Sequence, residues 1–247
     1  MANKVIIIDE GYLKHRSIFA FRNNSAVPAT YTFMRMCLAC LKKIGITLED
    51  RVIMACDCGR SWRKIEDANY KAQRKDLRES YEDKDWWTEV YKEFDDYYKK
   101  LEPNINWNFV RAWGLEADDW ISMISRFYTD KEVIIISADR DLEQLCALKN
   151  VKVFSPITKK YKLVKDPVKV LIEKIQGDIS DNLLEKPKTE ADFERRKRIV
   201  NLLELPPHIE QPMKDVLMNL PLKNLYANKL PYYSIREQIK QLYKLDE

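Results

Sequence analysis

The chain has 247 residues, of which 45% are hydrophobic, 33% charged and 11% aromatic, so it is long enough to bury one sizeable core. Its 43 basic and 39 acidic residues nearly balance, which argues against bulk disorder. No apolar run approaches the roughly 20 residues that a membrane helix needs, and the apolar part of MANKVIIIDE is too short for a signal peptide. We therefore expect a soluble cytoplasmic protein without a membrane partner.

Scarce residue types exclude several kinds of chemistry. The two histidines, His15 and His208, are too few for a multi-histidine zinc site and make a Ser-His-Asp triad improbable. Five glycines, without the spacing of a dinucleotide-binding fingerprint or a P-loop, exclude a glycine-rich phosphate cradle. Acidic side chains are therefore the main candidates for catalytic or metal-binding residues.

The five cysteines are an odd number, which favours free thiols in a reducing compartment. The spacing of Cys37, Cys40, Cys56 and Cys58 allows a four-cysteine zinc site as an alternative. Cys37 and Cys40, however, fall on the apolar face of a helical stretch, and Cys56 lies in an apolar strand-like run. This pattern favours buried free thiols.

Strands and helices are predicted to alternate up to about residue 165. Short β-branched apolar runs at 5–8, 52–56 and 133–136 are typical of strands covered on both faces, with weaker candidates at 105–111 and 151–154. Helical patterns occupy 29–44, 83–101, 116–128 and 141–148. The alternation predicts an α/β fold with a parallel sheet.

After residue 166 the sequence predicts helices alone, at 167–176, 189–203, 208–219 and 234–243. We therefore predict a catalytic core at 1–165 and a helical C-terminal section at 166–247.

Each strong strand is followed by an acidic residue. Asp9 ends the first, Asp57 follows the second, and Asp139 and Asp141 follow the third. Because active sites in open α/β sheets lie at the carboxyl ends of the strands, these side chains are expected to share one crevice.

Two further acidic clusters lie beside predicted helices. Glu116, Asp118 and Asp119 open the helix at 116–128, and Asp178 and Asp181 follow the helix at 167–176. Acids at a helix start are also explained by capping and dipole complementation. Four of the five glycines nevertheless lie within two residues of the acids, which favours a single acidic site; they are Gly11, Gly59, Gly114 and Gly177.

So many carboxylates in one crevice would repel one another unless cations neutralise them. Hard divalent cations prefer oxygen ligands, so we expect two Mg²⁺ ions, which Mn²⁺ can replace. Two ions about 4 Å apart are the usual clamp for phosphodiester displacement, and a metal-activated water removes the need for a histidine base. The expected ligands are Asp9, Asp57, Glu116, Asp118, Asp119, Asp139, Asp141, Asp178 and Asp181.

A polyanionic substrate would match the basic stretch at 62–78 and the aromatic residues at 86–98, because cations hold phosphates and aromatic rings stack on bases. The alternative is a solvated helix face whose aromatic residues belong to the core. Lys71 and Arg74 lie three residues apart and are predicted to share a helix face. The expected nucleic-acid contacts are Arg63, Tyr70, Lys71, Arg74, Lys75 and a second basic run of Arg195, Arg196, Lys197 and Arg198.

In order and spacing, these motifs resemble the flap endonuclease and 5′-nuclease superfamily from residue 5 to about 182. The resemblance rests on Asp9 with residues 12–16, on 70–74, on 116–119, on 137–145 and on 177–182. The short length and Ser61-Trp62-Arg63 look most like the phage ribonuclease H and 5′ flap nuclease branch.

The resemblance implies a PIN-like nuclease core, with a helical arch at about 60–100. It implies hydrolysis near the 5′ ends of DNA flaps, nicks, single strands or RNA primers on DNA. Such an enzyme would work as a monomer beside replication-fork proteins, in the host cytoplasm if phage-encoded.

Residue roles also follow from the resemblance. The first metal would lie near Asp57, Glu116, Asp118 and Asp139, and the second near Asp139, Asp141, Asp178 and Asp181, with Asp9 acting through water. Lys71 and Arg74 would hold the scissile phosphate, while Tyr12, His15 and Arg16 would contact the strand. Residues 183–200 lack the glycines of the family's duplex-binding hairpin, so Arg195–Arg198 are expected to grip the duplex instead.

Other classes explain less of the pattern. A Toprim-type nuclease or primase accounts for a glutamate and an Asp-x-Asp pair, but not for Asp9, Asp57, Asp178 or Asp181. A PIN-type ribonuclease usually has fewer acids and a shorter chain. A non-catalytic nucleic-acid-binding relative would be expected to lose acids, and here all nine are present.

Overall fold

The computed structural model describes residues 3–23, 26–74 and 83–245, and it contains a six-stranded sheet. The strands lie in the order β3-β2-β1-β4-β5-β6, and all pairs are parallel except β5 with β6. This confirms the predicted α/β class. The strands are β1 (Lys4–Asp9), β2 (Arg51–Ala55), β3 (Asn108–Val110), β4 (Glu132–Ile136), β5 (Val151–Ser155) and β6 (Lys160–Tyr161).

The central strand β1 explains the uninterrupted apolar runs. Its Ile7 pairs with Ile53 on one side and with Ile135 on the other. Alternate residues of β1 belong to two separate hydrophobic clusters. Ile6 and Ile8 lie on one face of the sheet, and Val5 and Ile7 lie on the other. Both faces are covered, so every position of the strand favours a β-branched apolar side chain.

The helices agree closely with those predicted, with two differences. They are α1 (Glu10–Asn23), α2 (Ala29–Ile44), α3 (Arg63–Glu66), α4 (Lys84–Leu101), α5 (Ala117–Phe127), α6 (Pro167–Gln176), α7 (Glu190–Val200), α8 (Pro207–Met218) and α9 (Tyr233–Tyr243), with 3₁₀ turns at Asp141–Ala147 and Ala227–Lys229. Helix α1 was not predicted, because its buried face includes the polar residues Glu10 and Ser17 and lacks a clear apolar period. The stretch predicted as a helix at 141–148 is a 3₁₀ helix.

Helix α4 lies in the region predicted to form an arch, and its aromatic face packs into the core. Trp87, Phe94, Tyr97 and Tyr98 are buried against α2 and its neighbours. For these four rings the core interpretation is therefore correct, and base stacking is not available to them. Residues 75–82, which include Lys75, lie outside the described residues.

The helices after residue 166 complete the cores on both faces of the sheet. Met213 and Leu217 of α8 join the cluster that contains α5, and Ile235 and Ile239 of α9 join the cluster that contains α2. The division of the chain near residue 165 stays a prediction. Cysteines 37, 40 and 56 are buried, and all five cysteines are free. None of the described helices is both long and apolar enough to cross a bilayer.

Candidate active site

Asp9 lies at the end of β1, at the centre of the sheet's carboxyl edge. Its Oδ2 accepts a hydrogen bond from Ser137 Oγ at 2.7 Å, and its Oδ1 accepts one from the Tyr12 backbone N–H at 3.0 Å. Burial is the main cause that raises the pKa of Asp9 to about 7; the two hydrogen bonds oppose this rise, and the nearby carboxylates Asp139 and Asp57 contribute to it. Ionising Asp9 is therefore costly unless a cation lies close to it.

Asp57 stands beside Asp9, one strand over, and is held by the start of α5. Its Oδ1 accepts a hydrogen bond from the Ala117 backbone N–H at 2.7 Å. Gly11 passes close to both acids, since a Cβ at this position would lie 3.5 Å from Asp57 Oδ2 and 3.8 Å from Asp9 Oδ1. The first turn of α1 thus runs directly beside two carboxylates.

Glu116 is the N-cap residue of α5, and its carboxylate has several hydrogen-bond donors around it. Its carboxylate accepts from Arg63 at 3.0 Å, from Tyr70 Oη at 3.1 Å and from Lys71 Nζ at 2.9 Å. Burial alone would raise the pKa of Glu116, but Lys71 and Arg63 outweigh it and lower the pKa to about 2. Glu116 is therefore ionised throughout the neutral range.

Asp118 and Asp139 complete the first group of acids. Burial, followed by the charge of Asp139, raises the pKa of Asp118 well above its usual value. Asp139 is positioned by its backbone, because its N–H donates to Ser137 Oγ at 3.0 Å and its Oδ1 accepts from the Asp141 N–H at 2.9 Å. A divalent cation would favour the ionised form of Asp118 against burial and against the charge of Asp139, and the oxygen-only donors suit a hard ion.

One cavity of about 740 Å³ brings this group together. Five of the predicted ligands line it beside five of the predicted substrate contacts: Asp9, Asp57, Glu116, Asp118 and Asp139, with Tyr12, His15, Arg16, Lys71 and Arg74. Residues that are far apart in the sequence therefore meet at the carboxyl edge of the sheet, as predicted.

A second group consists of Asp141, Asp178 and Asp181. One oxygen from each lies within 4.8 Å of the others, which is compact enough for a shared cation. Asp178 also organises its own turn by accepting hydrogen bonds from Ser180 and from the Asp181 N–H. Lys174 also lies among these acids and was not predicted to do so. The available signal was its position in the last turn of the helix predicted at 167–176, four residues before Asp178.

Asp119 and Arg63 lie in the core, which corrects two assignments. Asp119 is fully buried and is occupied by Arg63 at 2.8 Å, by Trp62 Nε1 at 3.2 Å and by the Glu116 N–H at 2.8 Å. It has no free face for a metal ion. Arg63 is 2% exposed and also donates to the Ile199 carbonyl at 2.7 Å, so its guanidinium is not available to a phosphate.

Tyr70 and Lys71 also differ from expectation. Tyr70 is buried with its hydroxyl on Glu116, so it positions that acid and does not stack on a base. Lys71 has a φ of +52° and lies in a turn, so it does not share a helix face with Arg74. Both cations nevertheless reach the acids, since Lys71 Nζ lies 3.8 Å and Arg74 Nη2 3.9 Å from Asp181 Oδ1.

The four basic residues 195–198 of α7 have different surroundings. Arg196 donates to the backbone carbonyls of Ile175 and Glu185, so it ties α6 to the segment before α7. Arg195, Lys197 and Arg198 are at least 40% exposed; Arg195 lies near Asp67 and Asp192, whereas Lys197 and Arg198 each lie near one acid. Arg196 is therefore a structural residue, whereas the other three remain accessible to a polyanion.

Comparisons with known proteins agree with this geometry. A family model described as 5′-3′ exonuclease, N-terminal resolvase-like domain, matches residues 4–177. The DNA polymerase I of Chloroflexus aurantiacus is 30% identical over 152 residues, which cover 59% of this chain and 15% of that protein. This chain thus matches only a small part of that relative's length.

Solved structures from phage T5 share the fold. The T5 D15 protein co-crystallised with metal ions matches with a TM-score of 0.62 and 16% identity, covering 99% of this chain and 100% of that one. A variant T5 D15 flap endonuclease, in a pseudo-enzyme-product complex with DNA and metal ions, matches with a TM-score of 0.62 and 19% identity over 97% of both chains.

A parallel sheet that gathers acids and cations at its carboxyl edge provides what a metal-dependent nuclease requires. The family match covers more than half of the chain, so this protein belongs to the 5′-3′ exonuclease family with its N-terminal resolvase-like domain. The expectations of a 5′ nuclease and flap endonuclease fold, and of a hydrolase, are confirmed.

Proposed function

We propose that this protein hydrolyses phosphodiester bonds near the 5′ ends of DNA flaps, nicks, single strands and RNA primers paired with DNA. Two Mg²⁺ ions would serve the reaction, and Mn²⁺ would replace them. The observation that carries this proposal is the placement of Lys71, which contacts Glu116 of the first acid group and faces Asp181 of the second. The two acid groups and a cation for the substrate therefore adjoin one another.

The proposed ligands follow from the two groups. Asp57, Glu116, Asp118 and Asp139 would hold the first ion, and Asp139, Asp141, Asp178 and Asp181 the second, with Asp9 acting through water. Asp119 is left out because its carboxylate is already occupied. Bound divalent ions would neutralise the developing charge and activate water for an in-line displacement.

The side chains of the chain itself supply substrate positioning. Lys71 and Arg74 line the cavity that holds the first acid group, so they can hold the scissile phosphate and stabilise the charge that develops on it. Tyr12, His15 and Arg16 on α1 line the same cavity and would contact the strand that enters it. The exposed cations of α7 would add sequence-independent contacts to phosphates.

Support for the substrate class comes from relatives. The T5 protein is described as a flap endonuclease in a complex with DNA and metal ions. By analogy we propose a DNA substrate, a monomeric enzyme, and action beside replication-fork proteins in the cytoplasm, or the host cytoplasm if the protein is phage-encoded.

A substrate panel tests the proposal directly. A labelled 5′ flap, a nicked duplex and an RNA–DNA hybrid are each incubated with Mg²⁺, with Mn²⁺ and with excess EDTA. Cleavage near the 5′ end with either metal, and loss of cleavage in EDTA, are the expected results. Binding without cleavage in any metal would favour a non-catalytic relative, and full activity in EDTA would contradict metal dependence.

A further inference from the structure

Lys174 of α6 is the counter-ion of the second acid group. Its side chain is 6% exposed, and its ammonium contacts Asp141, lies 2.7 Å from Asp181 Oδ2 and lies 3.6 Å from Asp178 Oδ2. These are the same three carboxylates that are compact enough to share a divalent cation. A buried ammonium and a proposed metal ion thus have the same partners.

The chemistry of lysine fits this role. An ammonium has three N–H donors, and here three carboxylates surround it. The charge of Lys174 lets the three acids stay close together without a metal ion, since otherwise they would repel one another. Lysine is also a compact charge on a flexible stem, so it can withdraw without movement of the helix.

Neighbouring cations are placed differently. Lys71 and Arg74 face Asp181 Oδ1, whereas Lys174 faces Asp181 Oδ2. Arg140 is paired with Glu173. Lys174 is therefore the cation that stands directly among the three acids.

We propose that Lys174 sets the affinity and selectivity of the second metal site, an inference that rests on the proposed function. A divalent ion that enters this group must displace the ammonium, or remain close to it and be repelled. The second ion consequently binds more weakly than the carboxylates alone would allow. Only a cation with enough charge and the right size to replace three ammonium contacts occupies the site.

Metal binding can be measured without activity. Free Mn²⁺ is followed by electron paramagnetic resonance during titration of the wild-type protein and of the variants Lys174→Met and Lys169→Met. Lys169 lies on the same helix, is 67% exposed and is 3.7 Å from Glu173, so it is a matched control. We expect the dissociation constant of the weaker Mn²⁺ site to fall about tenfold or more in Lys174→Met and to stay unchanged in Lys169→Met.

Unchanged Mn²⁺ binding in Lys174→Met, with a wild-type enzyme that binds Mn²⁺ and cleaves flaps, overturns this inference alone. A wild-type protein that binds no Mn²⁺ and cleaves no flap overturns the proposed function, and this inference with it.

A second measurement uses the wild-type protein, in case Lys174→Met does not fold. Lysine ammonium groups with buried ion pairs give ¹H–¹⁵N signals, and the Lys174 signal is assigned by its loss in Lys174→Arg. Addition of Mg²⁺ should shift or remove this signal at the concentration that fills the weaker site. A signal that is unaffected by saturating Mg²⁺ contradicts displacement of the ammonium.

Discussion

Lys71 Nζ lies 2.9 Å from Glu116 Oε1, which places an ammonium at the edge of the first acid group. The same ammonium is 3.8 Å from Asp181 Oδ1 of the second group. A cation between the two acid groups is placed to contact a phosphate that enters the site. This relationship supports the proposed role of Lys71 at the scissile phosphate.

Replacing Lys71 with alanine should slow the chemical step. A cation that stabilises the transition state more than the ground state contributes to the rate at saturation, and loss of such a donor costs about 3–4 kcal/mol, or about a hundred- to thousandfold. Single-turnover cleavage of a 5′ flap with enzyme in excess and saturating is the measurement.

Arg198→Ala is the matched control for Lys71→Ala. Its guanidinium is 59% exposed, with a single acid, Glu66, at 4.0 Å. Loss of one phosphate contact should raise the dissociation constant and reduce the salt dependence of binding by about one ion, with the single-turnover rate unchanged. If Lys71→Ala behaves like this control, Lys71 does not act on the scissile phosphate.

Asp139→Asn should abolish cleavage while substrate binding stays near normal or becomes tighter. Asp139 is proposed to serve both ions, and the substitution also removes one negative charge that faces the phosphate. Cleavage and flap binding are measured in parallel in Mg²⁺. Asp130→Asn is the control, since Asp130 is 71% exposed and pairs with Lys131 before β4. Wild-type turnover in Asp139→Asn would exclude a shared-ligand role.

The metal-free protein should lose stability as the pH rises through about 7. Burial raises the pKa of Asp9 to about 7 from 3.8, so the folded state binds the proton more tightly than the unfolded state does. This stabilisation is complete below about pH 4 and is lost as the pH approaches 7. It amounts to at most about 4 kcal/mol. Thermal unfolding in EDTA at pH 5.5 and 7.5 measures the effect.

Two comparisons make the pH experiment specific. Asp9→Asn should reduce the difference between the two pH values, and Asp118, whose pKa burial also raises, should supply a remainder of the same sign. Mg²⁺ should raise the melting temperature more at pH 7.5, where Asp9 is ionised. Glu116 changes the stability in the opposite direction and in a different pH range. Its pKa is lowered to about 2, so its contribution to stability is lost only as the pH falls below 4.5. A melting temperature in EDTA that rises from pH 5.5 to 7.5 would contradict the assignment.

The sequence predicts the sheet and the meeting of acids well, for physical reasons. Runs such as Val5–Ile8 are apolar at every position because both faces of the sheet are covered, and parallel strands bring their carboxyl ends to one edge. The same logic places Asp9, Asp57 and Asp139 together, as the cavity shows.

The predictions from the sequence were wrong where a charged side chain is buried. Asp119 and Arg63 carry charge and lie within functional motifs, yet each is satisfied by a partner more than 50 residues away, so neither spacing nor composition indicates burial. Lys174 was missed although Asp178 follows it by four residues, because its contact with Asp141 joins positions that are 33 residues apart in the chain. Helix α1 was missed because its buried face includes Glu10, which is satisfied by Tyr98.

The pair of Arg63 and Asp119 leads to the last prediction. Arg63→Met should destabilise the fold by about 3–5 kcal/mol, because it leaves the fully buried Asp119 without its cation and removes the donor to the Ile199 carbonyl. Urea denaturation measures the change in the free energy of unfolding, and the dependence of this free energy on urea concentration should be the same in both proteins. The double variant Arg63→Met with Asp119→Asn should recover a large part of the loss, since an amide oxygen can still accept from Trp62 and the Glu116 N–H without a buried charge. If Arg63→Met instead keeps wild-type stability and only weakens flap binding, Arg63 contacts nucleic acid, as its motif suggested, and the buried ion pair is wrong.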